Sequence, residues 1–227
     1  MIGIIGAMDV ERAALRAMLS EPLEETVSGV TYTRGMLCGK QVVLAVCGIG
    51  KCNAAICAQT MILRYAPSLV INIGVAGTLT GELGIGDIVL GTSAVCHDMD
   101  TSPIGDPIGM ISGINLIYIP LDEQVSAKMA ALCEKEGIGV RRGIIASGDQ
   151  FIDTKAKKDW IVETFHAIAC EMEGQAVAQV CYVNATPCAI LRSISDSADG
   201  TSMDYMKFKS LAAAHSTKVL CAFLSEN

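Results

Sequence analysis

The sequence predicts an α/β protein with a largely parallel or mixed central sheet. Short apolar runs typical of buried strands alternate with amphipathic helical patterns along the chain, and several of these runs end in glycine-rich or acidic segments. The chain has 227 residues, of which 51% are apolar and 18% charged, so we expect a sizeable core. Because no linker, repeat or low-complexity run divides it, we predict one domain over residues 1–227.

The first half of the chain contains most of the predicted strands. Each is a short apolar run, and Asp9 can cap the helix that follows the first one. The tripeptide Cys38-Gly39-Lys40 indicates a hairpin turn. Strands are predicted at residues 2–6, 30–37, 41–46, 69–73 and 88–95, and helices from 9 to about 19 and from about 51 to 64.

The second half begins with an irregular, proline- and glycine-rich loop at residues 102–114, typical of a lid or a partner surface. The loop carries apolar residues that we expect to be exposed, namely Ile104, Ile108, Met110 and Ile111. The elements predicted after it are strands at 140–147, 167–170 and 188–194, and helices at 122–136, from 171–174 to about 183, and 204–224.

Strand ends carry most of the candidate functional residues. The strand that ends in Ser195-Asp196 brings a carboxylate to the carboxyl edge of the sheet, where open α/β folds bind ligands. Asp196 is therefore the candidate for the central chemical group. The other candidates at strand ends are Glu11, a turn at residues 75–77, Phe151 and Glu173.

Each of these other candidates also has a structural explanation. Glu11 can simply interact with a helix dipole, and the spacing favours neither role. One of Glu171 and Glu173 can cap the next helix, which leaves the other for ligand hydroxyls. Phe151 can be a core residue, but its position among small residues at a strand end favours stacking on a base.

Two motifs suggest chemistry that the rest of the sequence does not support. Residues 48–51, Gly-Ile-Gly-Lys, look like a phosphate loop, but Ala45 and Cys52 replace the first glycine and the hydroxyl residue of that motif. We therefore expect only a glycine turn that lets backbone approach a ligand. Residues 97–100 contain one histidine and two aspartates without a second ligand cluster, so no metal site is predicted.

Composition argues against several function classes. The formal net charge is -7 without a basic cluster, which disfavours nucleic acid as a partner. Apolar runs are shorter than the ~18–20 residues that span a bilayer.

The ten cysteines lie mostly in apolar segments and form no CxxC pair, as is typical of buried reduced thiols. No basic leader or cleavage site follows Met1, so we predict a cytosolic protein.

Six motifs occur in one order with family-like spacing. They are IGIIGAMDVE at residues 2–11, GIGK at 48–51, INIGVAG at 71–77, SGDQFI at 147–152, CEMEGQA at 170–176 and LRSISDSAD at 191–199. Together they resemble the bacterial 5′-methylthioadenosine/S-adenosylhomocysteine nucleosidases of the purine nucleoside phosphorylase superfamily, over nearly the whole chain.

The resemblance implies a single α/β domain with a mixed, barrel-like central sheet surrounded by helices. It also implies a homodimer that hydrolyses an adenine N-glycosidic bond with water and no cofactor. Asp196 would then be the general acid at adenine N7, and Glu11 would orient the attacking water.

The same resemblance implies substrate-binding roles for a larger set of residues. At the ribose these are Glu173 and Met172, with Arg192 near the water and the ribose. Phe151 and the Ile152 backbone would bind the base, and Met8, Ile49 and Tyr205 would line the site of the 5′-alkylthio group. Ser195, Val75, Ala76 and Gly77 would lie beside them, and Ile104 would enter the neighbouring subunit's pocket. Val75 and Tyr205 stand where many members have Ser and Phe, which bears on the preferred 5′ group.

Three alternatives accompany this prediction. A phosphorylase of the same superfamily needs several arginines around its anion, and Arg192 is the only arginine in the matched pocket motifs. A nucleosidase for futalosine or aminodeoxyfutalosine would use the same catalytic set. A non-catalytic nucleoside-binding protein would be expected to lack one of Glu11, Glu173 and Asp196, whereas all three are present.

Overall fold

The computed structural model describes residues 1–196 and 202–226, without the side chains at 9–12, 202–205 and 209. Within these residues ten strands form one sheet. The strands are β1 (Ile2–Gly6), β2 (Ser20–Val27), β3 (Val30–Leu37), β4 (Lys40–Val46), β5 (Leu69–Thr78), β6 (Ile88–Cys96), β7 (Tyr118–Pro120), β8 (Val140–Ser147), β9 (Ala167–Glu171) and β10 (Cys188–Asp196). The helices are α1 (Asp9–Met18), α2 (Lys51–Tyr65), α3 (Glu123–Lys135), α4 (Lys155–Phe165), α5 (Gly174–Val183) and α6 (Ser202–Glu226), with a short 3-10 helix at Ser102–Ile104.

The sheet closes on itself. β10, β6, β8, β9 and β5 pair in that order, and β5 also pairs with β10, so these five strands form a ring. β1, β4, β3 and β2 extend the sheet outward from β5. Parallel pairs such as β5–β10 and β6–β8 are mixed with antiparallel pairs such as β6–β10 and β5–β9. The prediction of a mixed, barrel-like sheet is therefore confirmed.

Helices cover the sheet and bury its apolar side chains. One core cluster includes Met61 of α2 and Cys181 of α5, while a second includes Leu15 of α1, Met129 of α3 and Phe223 of α6. None of the described helices is long and apolar enough to cross a membrane. All ten cysteines are free thiols, and most of them are buried as predicted.

The predicted elements are confirmed to within a few residues at their ends, but three elements were not predicted. β2 is an edge strand whose residues are mostly exposed, so its sequence lacks apolar alternation. β7 has only three residues. In α4 the buried positions are Lys158, Ile161 and Phe165, and the lysine interrupts the apolar pattern that would have indicated a helix.

Two local predictions were wrong. Residues 75–77 are not a turn but belong to β5, which continues to Thr78 because this segment pairs with β10 and β9. In the loop after β6, Ile104 is exposed as expected, whereas Ile108 and Met110 are partly buried. Ile111 is buried and forms a backbone bridge with Leu116.

Candidate active site

A cavity of about 320 Å³ lies where β1, β5, β9 and β10 end. This is the edge of the sheet at which ligands were predicted to bind. Most of the predicted site residues line the cavity: Met8, Ile49, Val75, Ala76, Gly77, Phe151, Ile152, Met172, Glu173, Arg192, Ser195 and Asp196. Further lining residues that were not predicted are Ala7, Ile73, Gly74, Gln150, Cys170 and Glu171.

Three predicted residues are not among those that line the cavity. The side chains of Glu11 and Tyr205 lie outside the described residues, although the backbone places them in α1 and α6. Ile104 is 82% exposed and follows β6 in the 3-10 helix. Its predicted contact with a neighbouring subunit's pocket stays a prediction.

Asp196 reaches the cavity through an irregularity in β10. Ile194 pairs with Ala76 of β5 and Asp196 pairs with Gly77, so Ser195 is an extra residue in the ladder. Neighbouring side chains in a regular strand point to opposite faces, but a bulge re-aims them. As a result, Ser195 and Asp196 both line the cavity, and the Ser195 hydroxyl donates to Asp196 Oδ1 over 2.9 Å.

Gly77 makes room for the Asp196 carboxyl group. A Cβ atom added at Gly77 would lie 2.6 Å from Asp196 Oδ2, which is closer than real Cβ contacts. Asp196 itself is only 3% exposed. The glycine-rich part of β5 therefore serves close packing against the carboxyl group.

Glu171 is a structural carboxylate that also lines the cavity. It accepts hydrogen bonds from the backbone N–H groups of Glu173 and Gly174 at the start of α5, and from the Ser147 hydroxyl. Arg192 Nη2 donates to Glu171 Oε2 over 2.5 Å. Burial alone would raise the pKa of Glu171, but the Arg192 charge and these hydrogen bonds hold it below its ordinary value. The helix-capping explanation therefore applies to Glu171.

Arg192 is held firmly within the sheet. Its guanidinium group also donates to the Asn72 backbone oxygen over 3.1 Å and to Asn72 Oδ1 over 2.5 Å. The charge of Arg192 is offset by Glu171. The arginine thus forms one wall of the cavity while most of its donors bind protein groups.

Glu173 is the second carboxylate that faces the cavity. It is 6% exposed, and its Oε1 accepts a hydrogen bond of 2.8 Å from the backbone N–H of Gly50. The glycine turn predicted to approach a ligand therefore binds a protein carboxylate and holds it at the cavity wall.

The segment at residues 97–100 fastens two cavity loops together. Asp98 pairs with Lys51 of the glycine turn and accepts a 2.8 Å hydrogen bond from the backbone N–H of Asp149. Burial opposes ionisation of Asp98, but the Lys51 and Asp149 hydrogen bonds lower its pKa to about 2. The described residues contain no group of three or more His, Cys, Asp or Glu side chains that could hold a metal.

Lys158 is a charged residue that the sequence analysis missed. It belongs to α4, and its Nζ lies 3.8 Å from Asp196 Oδ2. Both side chains are almost fully buried. The sequence signal that could have indicated a buried lysine is the lysine-rich segment 155–158, in which Lys158 alone occupies a buried position of the helix.

The remaining lining is apolar and suited to a flat, partly hydrophobic ligand. Phe151 is 45% exposed at the cavity, whereas Ile152 is buried. An exposed aromatic ring beside a cavity offers a stacking surface for a base. The cavity thus combines three buried carboxyl groups, those of Glu171, Glu173 and Asp196, with an aromatic and aliphatic lining, as expected for a small-molecule site.

Known proteins resemble this chain over its whole length. A family model described as the phosphorylase superfamily matches residues 1–225. The 5′-methylthioadenosine/S-adenosylhomocysteine nucleosidase of Shewanella halifaxensis is 37% identical over 227 residues, which covers 99% of both chains.

Solved structures share the same fold. A mutant of the Helicobacter pylori methylthioadenosine nucleosidase, with 5′-methylthioadenosine in its active site, superimposes with a TM-score of 0.95 at 34% identity and covers 100% of this chain and 98% of that chain. A futalosine hydrolase of Helicobacter pylori gives a TM-score of 0.95 at 34% identity, covering 100% and 97%. The chain therefore belongs to the phosphorylase superfamily and, within it, to the N-glycosyl hydrolases that its nucleosidase relatives represent.

Proposed function

We propose that this enzyme hydrolyses the N-glycosidic bond of 5′-methylthioadenosine and S-adenosylhomocysteine, releasing adenine and the 5-thio-substituted ribose. The observation that carries the proposal is the pair of buried carboxyl groups, Asp196 and Glu173, that line one mostly apolar cavity together with Phe151 and Met172. The substrates for which the similar nucleosidases are named agree with this assignment.

Asp196 is assigned the role of general acid. Cleavage of C1′–N9 would otherwise expel an adenine anion, and a proton given to N7 turns this leaving group into neutral adenine. Positioned acid catalysis of this kind contributes ~10²–10⁴-fold. Burial favours the neutral form of a carboxyl group, and Asp196 is nearly inaccessible to solvent.

The other carboxylates are assigned to the sugar and the water. Glu173 binds the ribose hydroxyls, with its orientation held by the Gly50 backbone N–H. Glu11 orients the attacking water. Negative charge on both residues also favours the positive charge that develops on the sugar ring in the transition state. The division of labour parallels that of glycosidases, in which one carboxyl group serves the leaving group and another serves the water.

Water is favoured over phosphate as the nucleophile by the placement of the arginines. Among the described arginine side chains, only Arg192 lines the cavity, and its charge is offset by Glu171. The other described arginines lie elsewhere: Arg16, Arg64, Arg141 and Arg142 form surface ion pairs, and Arg34 lies over the Tyr65 ring. A phosphate ion needs several such donors.

A second candidate substrate is a futalosine-type nucleoside. The similarity to a Helicobacter pylori futalosine hydrolase favours it, because the same catalytic set would serve that reaction. The two substrate classes differ at the 5′ group and not at the bond that breaks. A comparison of kcat/KM for methylthioadenosine, adenosylhomocysteine and aminodeoxyfutalosine with the purified enzyme ranks them.

The direct test is adenine release from methylthioadenosine in phosphate-free buffer. We expect free 5-methylthioribose as the second product, and an Asp196→Asn variant that folds normally but has a kcat lower by at least ~10²-fold. Strict dependence on phosphate with formation of a sugar 1-phosphate would make the enzyme a phosphorylase. Near-normal turnover by the variant would remove Asp196 from the acid role.

We also propose that the enzyme works as a cytosolic homodimer. Ile104 lies in a proline-rich loop with its side chain exposed, which leaves it available for a second copy. A side chain given to the partner's cavity at this point would extend the apolar wall for the 5′ group.

A further inference from the structure

Lys158 is a buried cation placed beside the proposed acid. Among the lysines whose side chains the structure describes, Lys158 alone is buried, with 3% exposure. The Nζ atom lies 3.8 Å from Asp196 Oδ2. An ammonium group removed from water carries a large desolvation cost, which a nearby carboxylate offsets. A surface location would avoid this cost, so the buried position calls for a functional explanation.

We propose that Lys158 is a positioning residue for Asp196: its ammonium group holds the Oδ2 atom and stabilises the carboxylate that remains once the proton has passed to the base. This inference rests on the proposed function. The two carboxyl oxygens are then held from different sides, because Oδ1 accepts from the Ser195 hydroxyl and Oδ2 faces Lys158.

The chemistry of the proton transfer explains why a cation is useful there. During bond cleavage the O–H bond of Asp196 breaks, an N7–H bond forms, and the O–H electron pair stays on the carboxylate. The electron pair of C1′–N9 goes to adenine, which leaves as a neutral molecule. A negative charge therefore appears on Asp196 in the transition state, next to a positive charge in a site with little water. Attraction between such charges is far stronger there than in bulk water.

The other charged groups around Asp196 leave this role to Lys158. Glu171 and Arg192 pair with each other, so their charges largely offset. Burial raises the pKa of Cys170 to about 12, which keeps this thiol neutral. Among the side chains that the structure describes, the titratable and charged groups that face this region are Lys158 of α4, Cys170 and Glu171 of β9, Arg192 of β10 and Glu173 before α5.

Glu173 lines the same cavity as Asp196, and its negative charge opposes the effect of the Lys158 ammonium on the acid. A nearby carboxylate favours the protonated acid before the reaction, whereas the ammonium favours the ionised product of the transfer. An acid works best when its proton affinity lies near the operating pH, and neighbours of opposite charge are the means by which a protein adjusts that affinity.

The test compares neutral and charged replacements of Lys158 in the full-length enzyme. Lys158→Met and Lys158→Gln remove the charge, and Lys158→Arg keeps it. Lys155→Met is the matched control, because Lys155 lies on the same helix and pairs with Asp159 at the surface. For each variant, kcat and kcat/KM for methylthioadenosine are measured from pH 5 to pH 10, with circular dichroism melting to follow folding.

In both neutral variants we expect kcat at neutral pH to fall about 10-fold or more, which is part of the contribution of a positioned acid. The decline of kcat on the alkaline side of the pH profile shifts to a pH higher by about 1–3 units, because no positive charge then favours ionisation of Asp196. KM changes little. Lys158→Arg keeps the limb of the wild type, and Lys155→Met behaves as the wild type throughout.

An alkaline limb that stays in place in the neutral variants, whatever their kcat, would overturn the inference. The same conclusion follows if both neutral variants fail to fold while Lys158→Arg folds, because the ammonium would then have a structural role. Failure of the proposed function is a separate result, since it appears as absence of adenine release by the wild-type enzyme.

Discussion

Single residues around Asp196 are constrained by contact distances. Because a Cβ atom at position 77 would lie 2.6 Å from Asp196 Oδ2, Gly77→Ala must displace the carboxyl group or the strand. We expect kcat to fall at least 10-fold, and stability to decrease by about 1–3 kcal/mol, the usual cost of overpacking. Steady-state kinetics and thermal melting measure both effects.

The matched control for this substitution is Gly81→Ala. Nothing lies within 4 Å of a Cβ atom added at Gly81, so this variant should keep wild-type activity and stability. Equal kcat and KM values for the two alanine variants would show that close packing of position 77 against the Asp196 carboxyl group does not affect catalysis.

At this scale the sequence predicts which acidic and aromatic residues line the cavity, because they follow recognisable buried strands, while their roles stay predictions. Asp196, Glu173 and Phe151 were found in this way. Lys158 was not, because a lysine is almost never expected at a buried helix position. Its environment arises from the packing of α4 against β8 and β9, which the local sequence pattern does not encode.

At the scale of elements, the cavity loops depend on a few ionic contacts between segments far apart in the chain. Asp98→Asn removes the nearer of the two carboxylates that pair with Lys51 and weakens the link between residues 48–51 and 147–152. We expect KM to rise several-fold while kcat changes less, since the loops position ligands without entering the chemistry. Asp159→Asn, an exposed residue on α4, is the control.

The same variant makes a prediction for stability against pH. The pKa of Asp98 in the folded protein is about 2, below its ordinary value of 3.8, so its ionised form stabilises the folded state. This contribution of roughly 2 kcal/mol is complete above about pH 5 and is lost as the pH falls towards 2. Denaturant unfolding of the wild type and Asp98→Asn should therefore differ at pH 7 and converge near pH 2. A constant difference would contradict the assignment.

Elements with strong apolar periodicity were predicted with nearly correct ends, such as β8 and the hairpin of β3 and β4. The exposed edge strand β2 was missed because its pairing with β3 depends on backbone hydrogen bonds, which leave no apolar signature. The continuation of β5 through its glycines was also missed, because the partner strands β9 and β10 stabilise it.

At the scale of the whole molecule, the proposed dimer can be measured directly. The chain has a mass of 23.8 kDa, and light scattering at micromolar concentration should give about twice this value. Ile104→Asp is expected to raise KM for methylthioadenosine, because a charge replaces an apolar contact with the partner's cavity. A monomeric mass for an active wild-type enzyme would contradict both expectations.

The ring closure of the sheet is the part of the fold that the elements alone do not predict. Alternation of strands and helices indicates the class, but the pairing of β5 with β1, β9 and β10 depends on contacts between distant segments. The family resemblance supplied this closure in advance, and the structure agrees with it.

The extra residue in β10 constrains how this chain can vary in length. Exposed turns such as residues 28–29 can gain residues at little cost, since they only join two strands at the surface. Removal of Ser195 would restore a regular ladder and turn the carboxyl group of Asp196, the proposed acid, away from the cavity. The number of residues between Ile194 and Asp196 is therefore constrained by the cavity as well as by the sheet.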